Sequence, residues 1–247
     1  MGSLSTAGEA VARIAYLSSD VVLSVQPTLE GDSIFSKALN RLSAERVRGA
    51  VSGNNTEVRP VRHNEDPLLS AYYPLQNGQR VSVTTSSTIL LSSIPHLYRL
   101  ANYPIVIHVH LEPSEFADFS VISSIRQCGF SFLHSETIQE AQDIALTGHA
   151  LAVRSGKGVI HFFDLSNSEK NEPVAAEDAV LVKDILEIGG AAVSHSSEGA
   201  SQTLYADSGR VATVTDQGFG GPVITPAPEL TIPSPKSAAH SVDPSSV

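Results

Sequence analysis

The sequence contains very little cysteine and no tryptophan. Among its 247 residues there are one cysteine, Cys128, and one methionine, and aromatic residues make up only 6%. A single cysteine excludes an intrachain disulfide and any metal site that needs several cysteines. The fold must therefore rest on an aliphatic core, and a hydrophobic content of 41% is sufficient for one in a chain of this length.

Positive charge and long apolar runs are also scarce. The 16 Lys and Arg residues are outnumbered by 26 Asp and Glu, which gives a net charge of −10 and a pI near 5.3. Without a basic stripe, this balance argues against nucleic acid or an anionic membrane as the main partner. No apolar run approaches the roughly 20 residues that span a bilayer, and the N-terminus does not have the pattern of a secretory signal. We therefore expect a cytoplasmic protein with no nucleic-acid or membrane partner.

The centre of the chain alternates between short apolar runs and segments with helical periodicity. Segments 104–109, 130–133 and 158–163 are apolar without polar alternation, which is typical of strands buried on both faces of a parallel sheet. Segment 137–154 between the last two has apolar residues every three or four positions, as an amphipathic helix does. This order predicts a doubly wound α/β fold with a mostly parallel sheet.

The flanking segments extend the same pattern and then lose it. Further helices are predicted near 6–18, 34–46, 88–100 and 176–188, and further strands near 20–25 and 79–85. Asp207-Ser208-Gly209 lies between two alternating runs and predicts a hairpin. We therefore expect an α/β domain over 5–190, a hairpin extension over 191–217, and a disordered Pro/Ser-rich linker over 218–247.

Several sequence blocks occur in a characteristic order between residues 84 and 164. They are Pro95 with Tyr98, Ile107-His108-Val109, Arg126-Gln127-Cys128-Gly129-Phe130, Gln139-Glu140-Ala141 and His161-Phe162-Phe163-Asp164. This order resembles the N-terminal domain of the pyruvate:ferredoxin oxidoreductase family, which holds the pyrimidine end of thiamine diphosphate. The resemblance covers roughly residues 5–190 and implies the thiamine diphosphate-binding fold.

The chain looks still closer to a degenerate copy of this domain. That copy occurs at the N-terminus of the fungal NADPH sulfite reductase flavoprotein (alpha) subunit, where a linker joins it to a flavin- and NADPH-binding reductase module. The resemblance implies that FAD and NADPH bind on such a module outside this chain, and that the sulfite reductase beta subunit is a partner in sulfur assimilation. It implies no cofactor in this chain.

Three positions depart from the pyruvate family at its thiamine site. Gln26 stands where the family has a threonine that contacts cofactor or substrate, and Glu112 stands near the place of an arginine that binds the substrate carboxylate. A carboxylate at position 112 would repel a pyruvate-like anion. Glu65 is the nearest candidate for the glutamate that protonates the aminopyrimidine, but its spacing matches only with a one-residue gap. The departures imply a non-catalytic assembly or docking domain.

Two other functions are compatible with the sequence. The chain could be a functional thiamine diphosphate-binding half-site of a 2-oxoacid:ferredoxin oxidoreductase, with Glu65 at the pyrimidine. It could also be a sensor that holds a small ligand in the crevice at the carboxyl ends of the strands. The favoured interpretation is the assembly or docking domain, and in that case we expect no activity of the isolated chain.

Histidines and hydroxyl residues give weaker signals. His108 and His110 fall on one face of a strand, where a metal pair is conceivable but structural roles are favoured because no third ligand is evident. We also expect His161 and Cys128 to be structural. The hydroxyl run 84–88 lies at a strand-to-helix turn, where a helix cap is favoured over an anion site.

Overall fold

A computed structural model describes most of the α/β region and four later strands. The described residues are 3–26, 33–62, 64–111, 119–164, 172–175, 177–187, 192–195, 201–206, 209–216 and 222–226. The helices are α1 (Ala7–Ser18), α2 (Ser36–Ala44), α3 (Pro67–Gln76), α4 (Ser87–Ser92), α5 (Ile94–Leu100), α6 (Ser120–Ser124), α7 (Ile138–Ser155) and α8 (Ala179–Glu187). The strands are β1 (Ser3–Ser5), β2 (Val21–Val25), β3 (Glu57–Val61), β4 (Val81–Ser86), β5 (Ile105–Leu111), β6 (Ser131–Ser135), β7 (Val159–Asp164), β8 (Glu172–Val174), β9 (Ala192–His195), β10 (Ser201–Ala206), β11 (Gly209–Asp216) and β12 (Pro222–Pro226).

A six-stranded parallel sheet forms the centre of the fold. Its strand order is β3-β2-β4-β5-β7-β6, and all five neighbouring pairs are parallel. Every residue of β2, β4 and β5 is buried, because helices cover both faces of the sheet. The doubly wound α/β fold predicted from the apolar runs is confirmed.

The two faces of the sheet carry separate cores. Alternation along each strand sends neighbouring side chains to opposite faces, so Leu23 and Ile107 pack towards α3, α4, α5 and α6. Val22 and Phe163 pack on the other face, against α1, α2, α7 and α8. Within the described residues, no helix is long and apolar enough to cross a lipid bilayer.

Capping boxes fix the beginnings of the two long helices on the second face. The Thr6 hydroxyl accepts a hydrogen bond from the Glu9 backbone N–H at 3.2 Å, and a Glu9 carboxylate oxygen accepts one from the Thr6 N–H at 3.3 Å. Thr137 and Glu140 repeat the arrangement at the start of α7. Each box satisfies two N–H groups that would otherwise be unpaired, so α1 and α7 begin where the sequence pattern predicts.

The single helix predicted over 88–100 is wrong, because the structure has two short helices there. α4 ends at Ser92, Ser93 has φ −96° and ψ 5°, and α5 begins at Ile94. Pro95 lies in the first turn of α5, where its missing N–H costs nothing. In the interior of a continuous helix it would remove a hydrogen bond and clash with the preceding turn.

β1 and β8 form a two-stranded antiparallel sheet, and the C-terminal part of the chain contains a four-stranded antiparallel sheet of order β12-β11-β10-β9. Its β10–β11 pair forms the hairpin expected around 207–209. β12 lies inside segment 218–247, for which the disordered-linker assignment stays a prediction. Its sequence includes the β-branched residues Val223, Ile224 and Thr225, and its edge position tolerates the prolines at both ends. Residues 227–247 lie outside the described residues.

Candidate functional site

The carboxyl ends of β2 and β3 lie side by side at one edge of the parallel sheet. The backbone N–H of Gln26, which directly follows β2, donates to the carbonyl of Val61 at the end of β3, at 2.9 Å. Open α/β sheets bind ligands in the crevice at this edge. Gln26 therefore lies at this edge, and the segment that follows β3 leads to Glu65.

Glu65 is bound to its own turn and is exposed to solvent. Its backbone N–H donates to the Arg62 carbonyl at 2.9 Å, and its Oε2 accepts from the Arg62 N–H at 3.4 Å. A carboxyl group that protonates an aminopyrimidine must lie within hydrogen-bond reach of the ring. The structure instead places this side chain in a solvated surface turn.

The other two predicted site positions are Gln26 and Glu112. Gln26 is half-buried at the end of its strand. Glu112 falls in 112–118, outside the described residues, so its suggested repulsion of a substrate carboxylate stays a prediction.

Asp66, next to Glu65, is the carboxylate that forms contacts with neighbouring elements at this edge. The sequence did not single it out. Its Oδ1 accepts from the Leu68 N–H and from the Ser93 hydroxyl, both at 2.9 Å, and its Oδ2 contacts Nδ1 of His96. Asp66 therefore caps α3 and ties it to the start of α5, so both of its oxygens are occupied. Asp before Pro67 is a recognisable cap signal, but the contact with His96 spans 30 residues and has no local signature.

The hydroxyl run at the end of β4 acts as a helix cap. The Ser86 hydroxyl accepts from the Ile89 N–H at 3.5 Å at the start of α4, which confirms the favoured interpretation. Thr84 and Thr85 are buried, and their hydroxyls form no hydrogen bond with the described residues. α4 has only six residues, so its short dipole offers little attraction for a phosphate at its N-terminus.

A chain of buried imidazoles crosses the second face of the sheet. Nδ1 of His108 on β5 lies 3.2 Å from Nδ1 of His161 on β7, and Nε2 of His108 lies 3.3 Å from Nε2 of His149 on α7. The Ser135 hydroxyl lies 2.9 Å from Nε2 of His161 and ends the chain. The sequence predicts strands at His108 and His161 but gives no signal for His149, because only the packed structure shows which helical residue lies over β5.

Burial controls the protonation of these histidines. It lowers the pKa of His108 and of His161 well below the ordinary value, and the neighbouring histidine lowers each further. Burial, the charge of Arg80 and the neighbouring His161 lower the pKa of His149 to about 3. No group of three or more His, Cys, Asp or Glu side chains among the described residues could hold a metal ion. His108 is buried and contacts the side chains of His161 and His149, which is consistent with the structural role favoured for it.

Comparison with known families assigns the α/β domain. A family profile described as "Pyruvate flavodoxin/ferredoxin oxidoreductase, thiamine diP-bdg" matches residues 74–198, about half of the chain. The chain belongs to this family. Membership of this family accounts for the parallel sheet and for the sequence blocks between residues 84 and 164.

Two curated relatives from the family comparison differ in their named activities. "Sulfite reductase [NADPH] subunit beta" of Schizosaccharomyces pombe is 31% identical over 182 residues, which cover 65% of this chain and 12% of the relative. "Probable pyruvate-flavodoxin oxidoreductase" of Escherichia coli is 31% identical over 183 residues, covering 70% of this chain and 15% of the relative. The chain thus spans a small fraction of the relatives' length. The sulfite reductase relative is named as a beta subunit, whereas the sequence blocks pointed to an alpha subunit.

A solved structure has the same fold. The 2-oxoglutarate:ferredoxin oxidoreductase of Magnetococcus marinus superposes with a TM-score of 0.56 over 72% of this chain and 32% of its own, at 13% sequence identity. That protein was determined with 2-oxoglutarate, coenzyme A and succinyl-CoA bound. At this identity the likeness establishes the fold only.

Proposed function

We propose that this chain is a non-catalytic docking domain of an NADPH sulfite reductase, built on a thiamine-binding fold whose site no longer binds the cofactor. The observation that carries the proposal is the state of the carboxylates at the sheet edge. Glu65 is exposed in a turn with Arg62, and Asp66 is fully engaged in capping α3 and contacting α5. Neither is placed as a buried, free carboxylate for a pyrimidine nitrogen.

The Schizosaccharomyces pombe relative supports the sulfite reductase assignment. Because that relative is a beta subunit, the proposal concerns the sulfite reductase complex and does not depend on the alpha-subunit assignment. Electron transfer from NADPH through FAD would belong to a flavin module outside this chain. The proposed partners are that module and the other sulfite reductase subunit.

Deletion of the domain tests the docking role. In the full-length subunit, removal of residues 1–190 should abolish co-elution with the partner subunit in size-exclusion chromatography and the NADPH-dependent reduction of sulfite. Any flavin module that the subunit carries should keep its NADPH-dependent reduction of an artificial acceptor, because that reaction does not need the partner.

The matched control is Glu65→Gln in the same full-length subunit. It removes the one candidate for pyrimidine protonation and leaves the domain surface otherwise intact, so assembly and sulfite reduction should equal those of the wild type. Normal assembly of the deleted subunit would refute a docking role.

The competing function is a working thiamine diphosphate half-site of a 2-oxoacid:ferredoxin oxidoreductase. The family description and the Escherichia coli relative favour it. It requires Glu65 to leave its turn with Arg62 and contact the aminopyrimidine. It predicts that Glu65→Gln abolishes 2-oxoacid-dependent electron transfer, whereas the docking proposal predicts no such activity in either form.

A further inference from the structure

The row of buried polar side chains on the second face of the sheet is not explained by docking. Ser135, His161, His108 and His149 form three consecutive contacts at 2.9, 3.2 and 3.3 Å. The exposed fractions of the four side chains are 2%, 0%, 0% and 4%, in the order Ser135, His161, His108 and His149. The row joins three strands and one helix, since Ser135 is on β6, His161 on β7, His108 on β5 and His149 on α7.

Three neutral imidazoles satisfy these contacts in either of two ordered arrangements. A neutral imidazole has one N–H and one acceptor nitrogen. If Ser135 donates to His161, then His161 donates to His108 and His108 donates to His149. If His149 donates instead, every step is reversed and His161 donates to Ser135. Both orders satisfy all three contacts.

A second added proton breaks the row. One proton can be taken up by His149 if the order of the donors reverses, although the charge is then buried. A second proton cannot be accommodated, because with two imidazolium rings among the three at least one contact sets N–H against N–H. The row therefore keeps all three contacts only while it holds at most one added proton, and even that charge is buried at a cost in free energy.

The charges that act on His149 oppose its protonation, because Arg80 and the neighbouring His161 both lower its pKa. The elements packed around the row carry Glu9, Arg13 and Tyr16 on α1, His110 on β5, His134 on β6, Asp164 on β7 and Lys183, Asp184 and Glu187 on α8, and α7 itself carries Glu140, Asp143 and Arg154. Arg80 is paired with Asp20 at 3.0 Å, yet its charge still opposes protonation of His149. His134 acts in the same direction on His161.

We propose that the row Ser135–His161–His108–His149 is an acid-sensitive latch that holds α7 on the sheet and releases it when the protein is acidified. His149 provides the contact from α7, and the other three members anchor it to β5, β7 and β6. Release of α7 would uncover the core that it shares with α1 and α8.

The direction of the pH effect follows from proton linkage. In the unfolded chain the histidines take up protons near their ordinary pKa of about 6.5, whereas in the folded chain the pKa of His149 is about 3 and those of His108 and His161 are also lowered. Opening therefore takes up protons below about pH 6.5. The stability that depends on the neutral row is fully present above that pH and is lost as the pH falls.

Chemical unfolding at pH 7.5 and pH 5.0 measures this uptake. Each histidine that stays neutral only in the folded state should raise the unfolding equilibrium constant about 30-fold between these two pH values. His149→Gln should reduce the ratio of the two constants about 30-fold relative to the wild type. Gln142→Leu is the matched control: Gln142 is also buried on α7 and donates to the Ala175 carbonyl at 2.7 Å, but it does not titrate. It should change stability at both pH values and leave the ratio unchanged.

Two further measurements on the wild-type protein make the test independent of how well the variants fold. Histidine ¹⁵N NMR at pH 5.0 should show three neutral imidazoles in the folded state. Hydrogen exchange, corrected for intrinsic rates, should show the amides of α7 opening more at pH 5.0 than at pH 7.5, ahead of those of β5. Imidazolium signals from His108, His149 or His161 at pH 5.0, an equal ratio in His149→Gln and wild type, or α7 exchange independent of pH would each overturn the proposal.

Discussion

Replacement of Phe163 by alanine is expected to lower the free energy of unfolding by about 3–5 kcal/mol, the range found for buried phenylalanines. Phe163 lies on β7 with 2% of its surface exposed, and its ring is in edge contact with Phe35 at a centroid distance of 5.9 Å. It belongs to the core between the sheet and α1, α2, α7 and α8. The substitution would leave a cavity where these elements meet, and neighbouring backbone could fill it only in part.

Urea unfolding of Phe163→Ala measures this loss, and the melting temperature should fall by roughly 10 °C in a chain of this size. Tyr73→Ala is the matched control, because this aromatic residue on α3 is 71% exposed. Its effect should stay within about 0.5 kcal/mol, as for most surface substitutions. A loss below about 1 kcal/mol in Phe163→Ala would show that the second face of the sheet is not packed as described.

Replacement of Gly158 by alanine is expected to be the most damaging single-methyl addition at a described glycine. A Cβ atom at this position would lie 2.2 Å from Cε1 and 2.6 Å from Cδ1 of Phe130. The Gly158 backbone is held on both sides, because its N–H donates to the Ala101 carbonyl at 2.8 Å and its carbonyl accepts from the Ser131 N–H at 3.0 Å. The Phe130 ring, 7% exposed, must therefore move out of the core on the first face.

Overpacking of this kind costs about 1–3 kcal/mol, and a double-mutant cycle identifies its source. Gly158→Ala should cost markedly less in a Phe130→Ala background than in the wild type, because the ring that clashes is then absent. Free energies of unfolding for the two single variants and the double variant supply the cycle. Additive losses would place the strain in the backbone and exclude a clash with Phe130.

The sequence predicts the scaffold well because the scaffold is encoded locally. Continuous apolar runs marked β2, β5 and β7, and burial on both faces of a parallel sheet is the physical reason for such runs. The Thr-x-x-Glu pattern at Thr137 and Glu140 is likewise local, and α7 begins there. The break at Ser93 could have been predicted from Pro95, since proline is favoured in the first turn of a helix and disfavoured in its interior.

The candidate site is less predictable because its contacts join distant parts of the chain. A strand was predicted before Gln26 but not before Glu65, and the turn that binds Glu65 to Arg62 depends on local backbone geometry. The contact between Asp66 and His96 and the row through His149 depend on which helical residues face each strand. Sequence periodicity does not specify these pairings.

The thiamine diphosphate content of the full-length subunit tests the central claim most directly. The subunit is incubated with thiamine diphosphate and Mg²⁺ and dialysed, and its bound thiamine is then converted to thiochrome and measured by fluorescence. If the chain is a non-catalytic docking domain, neither the wild type nor Glu65→Gln retains thiamine. Close to one equivalent in the wild type, lost in Glu65→Gln, would contradict this claim.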